Sequence, residues 1–247
     1  MDHRSQHTTG VLVGVGVGPG DPELLTLKAV RALQTADIIC FLKTLTGRTQ
    51  ARDIATAAVK DLTLKAEWMP IGLPEMSDRS LLEPVYDRAS ADIKQYIASG
   101  KKVVFLCEGD PLFFGSFTYL LARLAGKVPI DVIPGISSMH AASAALQTPL
   151  ALMKENCLIL SGDETLDQLV QYLEQQDTLV LMKAGSARGK ILSALAISGR
   201  TADASYIAYI GRDQQVIVRD CTQLLTEPGP YFSLFLVTKP GPNRIEV

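Results

Sequence analysis

Residues 11–22 read Val-Leu-Val-Gly-Val-Gly-Val-Gly-Pro-Gly-Asp-Pro. The run through Val17 is apolar but for two glycines and has the length of a buried strand. A glycine-dense turn follows it, closed by Asp21-Pro22. Glycine admits positive φ and lets a ligand approach the backbone. An aspartate at this place can accept hydrogen bonds from the first helical amides. A proline costs nothing at the first helical position, where its missing N–H would go unpaired anyway. The stretch is therefore a strand-to-helix junction, with the helix expected over residues 22–34.

Outward from this junction the first half alternates strand-like and helix-like segments. Further strands are expected at 37–42, 62–69 and 102–107, and helices at 52–59 and 82–98. Another helix is expected after Pro111, where Phe113, Phe117, Leu120, Leu121 and Leu124 recur at helical spacing. Such alternation builds a largely parallel sheet with helical crossovers. Residues 71–80, with Gly72 and Pro74, read as a loop that serves either as a lid or as a plain connection. Past Pro134-Gly135 a small-residue helix over 138–146 leads into a second set of segments. Strands are expected at 156–160 and 178–182 and helices at 166–173 and 191–197. A hairpin of 204–210 and 216–221 surrounds Gly211-Arg212-Asp213, and a last strand covers 231–238. The fold class is α/β, in two α/β domains: 10–135 with a largely parallel sheet and 136–247 with a mixed one.

Bulk properties agree with a globular enzyme that handles a small ligand. The 247 residues are 47% apolar and 20% charged, far from the composition of a disordered chain. A formal net charge of −2 offers no bulk attraction to nucleic acid or to an anionic membrane. No apolar run approaches the length of a membrane span, and the polar residues 1–10 do not resemble a signal peptide, so the expected location is cytoplasmic. The cysteines Cys40, Cys107, Cys157 and Cys221 are scattered without a Cys-x-x-Cys pair and read as reduced thiols. The histidines are His3, His7 and His140; no protein-bound metal is expected.

The chemistry of residues 20–22 recurs at Gly109-Asp110-Pro111, behind the strand ending at Cys107, and a third junction lies at Pro134-Gly135-Ile136-Ser137-Ser138. In a parallel sheet all three fall at the carboxyl ends of strands, where open α/β folds bind ligands, and together they define one crevice. Each Asp-Pro by itself reads equally as a well-made helix start. Capping does not explain Glu108 before the second turn or the small residues Gly115 and Ser116 after it. A dinucleotide fingerprint fails on spacing. Its glycines fall at i, i+2 and i+5, but Pro19 stands in the third position from Gly14 and Asp21 from Gly16. No acidic residue ends the second strand, and no phosphate loop of the Gly-x-x-x-x-Gly-Lys type is present.

Taken together, residues 15–29 (VGVGPGDPELLTLKA), 106–115 (LCEGDPLFFG) and 132–139 (VIPGISSM) resemble the tetrapyrrole methylase family, in order and over nearly the whole chain. The resemblance implies two α/β domains with the active crevice between them, a homodimer, and methyl transfer from S-adenosyl-L-methionine. Within the family, residues 108–117 with Tyr119-Leu120, Ser137-Ser138-Met139 and Leu181-Met182-Lys183 resemble the branch that methylates C20 of precorrin-2 in cobalamin synthesis. Position by position it implies cofactor contacts at Pro19, Glu108, Gly109, Asp110, Phe113, Ser137, Ser138, Met182 and Gly211. On residue type alone, a core role fits Met182 equally well.

Methyl transfer from a sulfonium is an in-line displacement, so alignment matters more than a strong acid or base. Some relatives that methylate uroporphyrinogen carry an aspartate just after the second strand. The corresponding position here is Leu42, which argues against that substrate and leaves no catalytic base to name. A tetrapyrrole rich in carboxylates calls for cations, and Lys43, Arg48, Arg52 and His140 are the substrate-binding candidates, with Arg79 and Lys154 beside them. Each also reads as solvated surface. Two other readings stay open: a sibling methylase acting elsewhere on a tetrapyrrole or on a macromolecule, and a binding module without turnover.

Overall fold

A computed structural model of the chain describes residues 10–74 and 81–239. It divides into two compact units, with the division between Ser137 and Ser138. The first holds a five-stranded sheet of β1 (Val11–Gly16), β2 (Ile38–Lys43), β3 (Glu67–Gly72), β4 (Lys102–Cys107) and β5 (Ile130–Ile133). Its order is β3-β2-β4-β1-β5, and every pairing is parallel. β1 and β4 are buried almost throughout, because central strands of a parallel sheet are covered on both faces and carry unbroken apolar runs. On one face lie α1 (Leu27–Gln34) and α2 (Gln50–Ala58), packing Ala29, Leu33, Ile54 and Ala55 onto Val13, Val15, Ile39 and Phe41. On the other lie α3 (Leu82–Ala98) and α4 (Phe117–Leu124), packing Tyr86, Ile93, Phe117 and Leu120 onto Leu12, Cys40 and Phe105.

The connection from β1 runs past β4 to reach β2, and the connection from β4 runs past β1 to reach β5. The chain therefore leaves two adjacent strands in opposite directions on opposite faces. This is the topological switch point where open α/β sheets leave a crevice at their carboxyl edge.

Two expected helix starts are displaced. Asp21-Pro22 opens a single 3-10 turn, Pro22–Leu24, and α1 begins only at Leu27, where the Thr26 hydroxyl accepts from the Ala29 N–H. Two capping side chains stand in series, and the extended Leu25 between them packs on the core. Asp110-Pro111 opens no helix at all. Phe114 takes φ 51°, and a Cβ at Gly115 would collide with the Pro111 carbonyl oxygen, so α4 starts at Phe117. β3 also starts late, at Glu67, because β2 has only six residues to pair with, beginning at Ile38↔Glu67. Ile71 and Gly72, read above as loop, pair with Leu42 and Lys43, and the rest of that lid candidate from residue 75, with Arg79, lies outside the described residues.

The second unit begins with α5 (Ser138–Leu146). Its mixed sheet contains β6 (Cys157–Leu160), β7 (Thr178–Met182), β8 (Ala204–Ala208), β9 (Val216–Val218) and β10 (Ser233–Thr238), in the order β6-β7-β10-β8-β9. β6 and β7 are parallel, and the other pairings, including the expected β8–β9 hairpin, are antiparallel. α5 covers one face through Ala142 and Leu146. The other face carries α6 (Leu166–Gln175), held at its start by a Thr165–Gln168 capping box, and α7 (Arg188–Ile197). Arg200 follows α7 and is 6% exposed. Its guanidinium donates to the carbonyls of Leu173, Gln176 and Asp177 and pairs with Asp203 at 2.8 Å.

Candidate active site

The three glycine turns form one backbone structure at the carboxyl edge of the first unit's sheet. Past β1 and β4, the Val17 N–H donates to the Cys107 carbonyl (2.9 Å). Gly18 and Gly109 then exchange both bonds, N to O at 3.3 and 2.8 Å. Both glycines lie in the left-handed region, φ +77° and +64°, so this lacing requires the residue type found there. Gly135 of the third turn fits against the other two. A Cβ on it would collide with the Gly109 carbonyl oxygen and stand 2.8 Å from the Gly16 Cα.

Asp110 fastens the arrangement. Its Oδ1 accepts from the Leu112 N–H of its own turn at 2.8 Å, and its Oδ2 accepts from the Gly135 N–H of the third turn at 3.0 Å. Among the described residues the Asp21 carboxylate makes only the local bond, from the Glu23 N–H at 2.8 Å. Each carboxylate oxygen of Asp110 keeps a second lone pair, so the clasp leaves it able to meet a ligand's donor. Around the turns the apolar side chains of Leu112, Phe114 and Ile136 are exposed, and Phe113 packs edge-on against Phe114 at 5.0 Å. Behind them Cys107 is fully enclosed. Burial chiefly pushes its thiol up to about 12, with the charges of Glu108 and Asp110 adding to the rise, so it stays neutral and is no nucleophile.

Of the cofactor positions read from the sequence, Pro19, Glu108, Gly109, Asp110, Phe113 and Ser137 belong to this cluster. Ser138 opens α5 in the second unit, where Met182 ends β7 and Gly211 follows β8. β7 and β8 both flank β10 and run parallel to each other, so Met182 and Gly211 share one edge of that sheet. At the same edge Lys183 and Tyr209 each take φ 54°, a strained conformation for residues other than glycine. Arg212 stacks over Phe232 at 4.4 Å there. Neither strained exit was legible in the sequence, because Lys and Tyr carry no left-handed signal.

The predicted cations are partly brought together. Lys43 at the end of β2 and Arg52 on α2 line one cavity of about 340 Å³. Arg48 belongs to the loop between them, closed by Thr44 N to Arg48 O (3.1 Å) and Arg48 N to Thr44 Oγ1 (3.0 Å). His140, on the exposed side of α5, and Lys154, in the turn after it, belong to the second unit. Leu42 packs at the core of the first unit.

The profile of the Tetrapyrrole (Corrin/Porphyrin) Methylases matches residues 11–224, and the chain belongs to that family. It is a methyltransferase, and the resemblance carried by the three turns is borne out. Two of its relatives have names that match the branch resembled by residues 108–117. A precorrin-2 C(20)-methyltransferase from Sinorhizobium sp is 34% identical over 233 residues, 92% of this chain and 95% of that one. A cobalt-precorrin-2 C(20)-methyltransferase from Salmonella typhimurium is 29% identical, covering 93% and 97%. Among solved structures, a cobalt precorrin-4 methyltransferase shares the fold with a TM-score of 0.71 at 19% identity, over 96% of this chain and 98% of that one. A uroporphyrin-III C-methyl transferase from Thermus thermophilus, complexed with S-adenyl homocysteine, shares it with a TM-score of 0.64 at 24% identity, over 93% and 98%.

Proposed function

We propose that this protein methylates C20 of precorrin-2 or cobalt-precorrin-2, with S-adenosyl-L-methionine as donor, in cobalamin biosynthesis. The observation that carries the reading is the backbone-laced cluster of three turns at the switch point. The choice of C20 follows the two relatives named for that reaction. The cluster fits the donor's chemistry: polar backbone and carboxylate groups can hold its amino-acid and ribose portions. The exposed apolar rim of Leu112, Phe114 and Ile136 suits a flat adenine and the carbons around the sulfur.

When bound, the donor supplies an electrophilic methyl group on a sulfonium. The work left to this chain is binding, orientation and exclusion of water. In this reading Pro19, Glu108, Gly109, Asp110, Phe113 and Ser137, with Ser138, Met182 and Gly211 of the second unit, contact the donor. Lys43, Arg48, Arg52 and His140 meet carboxylates of the tetrapyrrole. An enamine-like meso carbon can attack without a strong base, which suits a site whose second strand ends in Leu42 and Lys43. The same reading carries a cytoplasmic location and a homodimer, whose mass would be twice the 26.7 kDa of the chain in sedimentation. Incubation with methyl-labelled S-adenosyl-L-methionine and precorrin-2, with and without cobalt, tests it. Label at C20 is the expected result; label at another carbon, or donor binding without transfer, overturns it.

A further inference from the structure

We propose that the cavity between β2, β3 and α2 is a carboxylate site, shaped for a carboxyl group on a short alkyl arm. The inference rests on the tetrapyrrole reading in taking that arm from the substrate. Arg52 reaches over the cavity with its guanidinium carbon 5.2 Å from the Phe41 ring centroid and 5.5 Å from that of Trp68, while the two rings meet edge-on at 6.0 Å. The two rings restrain the guanidinium from two sides, and among the described residues no hydrogen bond claims its N–H groups, which leaves them open to an oxygen pair of the kind that arginine binds bidentately. Lys43 follows Phe41 by two residues on β2 and projects from the same face of the sheet into the same space.

Among the described residues no carboxylate pairs with Arg52 or Lys43, and Asp53, one residue along α2, is taken by the Thr49 hydroxyl at 2.8 Å. Two positive charges therefore border a space whose other walls are the apolar Phe41, Trp68 and Pro70 together with Gly47 and Thr49 of the loop after β2. The charges suit a carboxylate and the walls suit the methylenes behind it. A cavity of about 340 Å³ has room for such an arm. It lies at the carboxyl end of β2, beside the middle of β3, toward the edge that carries the three turns. By strand spacing this is roughly 10–15 Å from β1, a distance that a tetrapyrrole reaches with its peripheral arms.

Methyl-transfer kinetics with precorrin-2 on Arg52→Gln, Arg52→Lys and Lys43→Gln test the site, with Lys60→Gln outside the cavity as control. Arg52→Gln should raise KM for precorrin-2 about tenfold, the value of a charge-assisted pair. Lys43→Gln should raise it less, and Arg52→Lys should fall between wild type and Arg52→Gln. Calorimetric affinity for S-adenosyl-L-methionine should not change, which also certifies the fold. Trp68 is the chain's sole tryptophan, so its emission reports the cavity while succinate is titrated as a free carboxylate probe. A raised KM with no emission response to succinate assigns the site to the substrate's arm. An emission response in wild type that is lost in Arg52→Gln, with KM unchanged, keeps the carboxylate site and assigns it to a free metabolite. Wild-type protein that binds succinate there but does not methylate precorrin-2 would sink the proposed function and leave the site standing. No change in KM and no emission response overturns the site itself.

Discussion

Replacing Asp110 with asparagine separates a turn cap from a clasp. As caps, asparagine and aspartate are nearly equivalent, so a residue that merely held the Leu112 N–H would tolerate the exchange. Asp110 holds two N–H groups on two different turns, one with each oxygen. Asparagine has a single oxygen, so whichever way its amide is turned, either Leu112 or Gly135 loses its acceptor and faces an NH2 donor. A hydrogen bond to a charged group contributes about 1.5–3 kcal/mol, and Asp110 is half-buried, so a loss of about 2 kcal/mol is expected. At about 2–4 °C per kcal/mol for a chain of this size, Tm should fall by about 4–8 °C. Freeing Gly135 also loosens the third turn against the second, so affinity for S-adenosyl-L-methionine should fall several-fold even in molecules that remain folded. Thermal unfolding and calorimetric titration of Asp110→Asn and Asp110→Ala measure both effects. If the asparagine variant stays within about 0.5 kcal/mol of wild type and binds the donor normally, Asp110 is a local cap and the clasp argument is wrong.

Gly135→Ala should be more damaging than Asp110→Asn, because its Cβ meets backbone on two neighbouring turns and nothing there can yield as a flexible side chain would. Loss of donor binding out of proportion to the loss of stability is the expected signature, and a variant that binds normally would contradict the packing described. Arg200→Leu strands the half-buried Asp203 carboxylate and three carbonyls and should cost about 3 kcal/mol in urea unfolding; a cost under about 1 kcal/mol would mean that water replaces the guanidinium. Burial raises the thiols of Cys40, Cys107 and Cys221, the latter two to about 12, against an ordinary value of 9.0. These groups are protonated in both folded and unfolded chains below pH 9. Their contribution to stability is complete there and declines as pH rises toward 12, because the unfolded chain loses the protons first. Native protein at pH 8 should therefore leave all three unalkylated by iodoacetamide, and intact-mass analysis showing rapid labelling of any of them would refute the burial argument.

The amino-acid sequence already contained the alternation of elements, the three junctions and the family, because apolar period, glycine and proline placement and turn chemistry are local properties that short stretches express alone. α3, β4, α5 and β7 could be delimited from periodicity to the residue. The tertiary structure decided what depends on partners distant in the chain. β10 enters between β7 and β8, a place no local pattern encodes. Asp21 and Asp110 look alike in sequence, yet among the described residues only Asp110 meets a second turn: Gly109 pairs with Gly18 across the end of β1, where Gly135 packs on Gly16, so the β4 turn reaches the β5 turn while Asp21 keeps to its own 3-10 turn. Lys43 and Arg52 were two of several loop cations until the packing of α2 on β2 and β3 set them around one space. Local sequence determines which conformations a segment prefers; which groups then face each other is settled by long-range pairing, where close backbone approach and charge convergence arise.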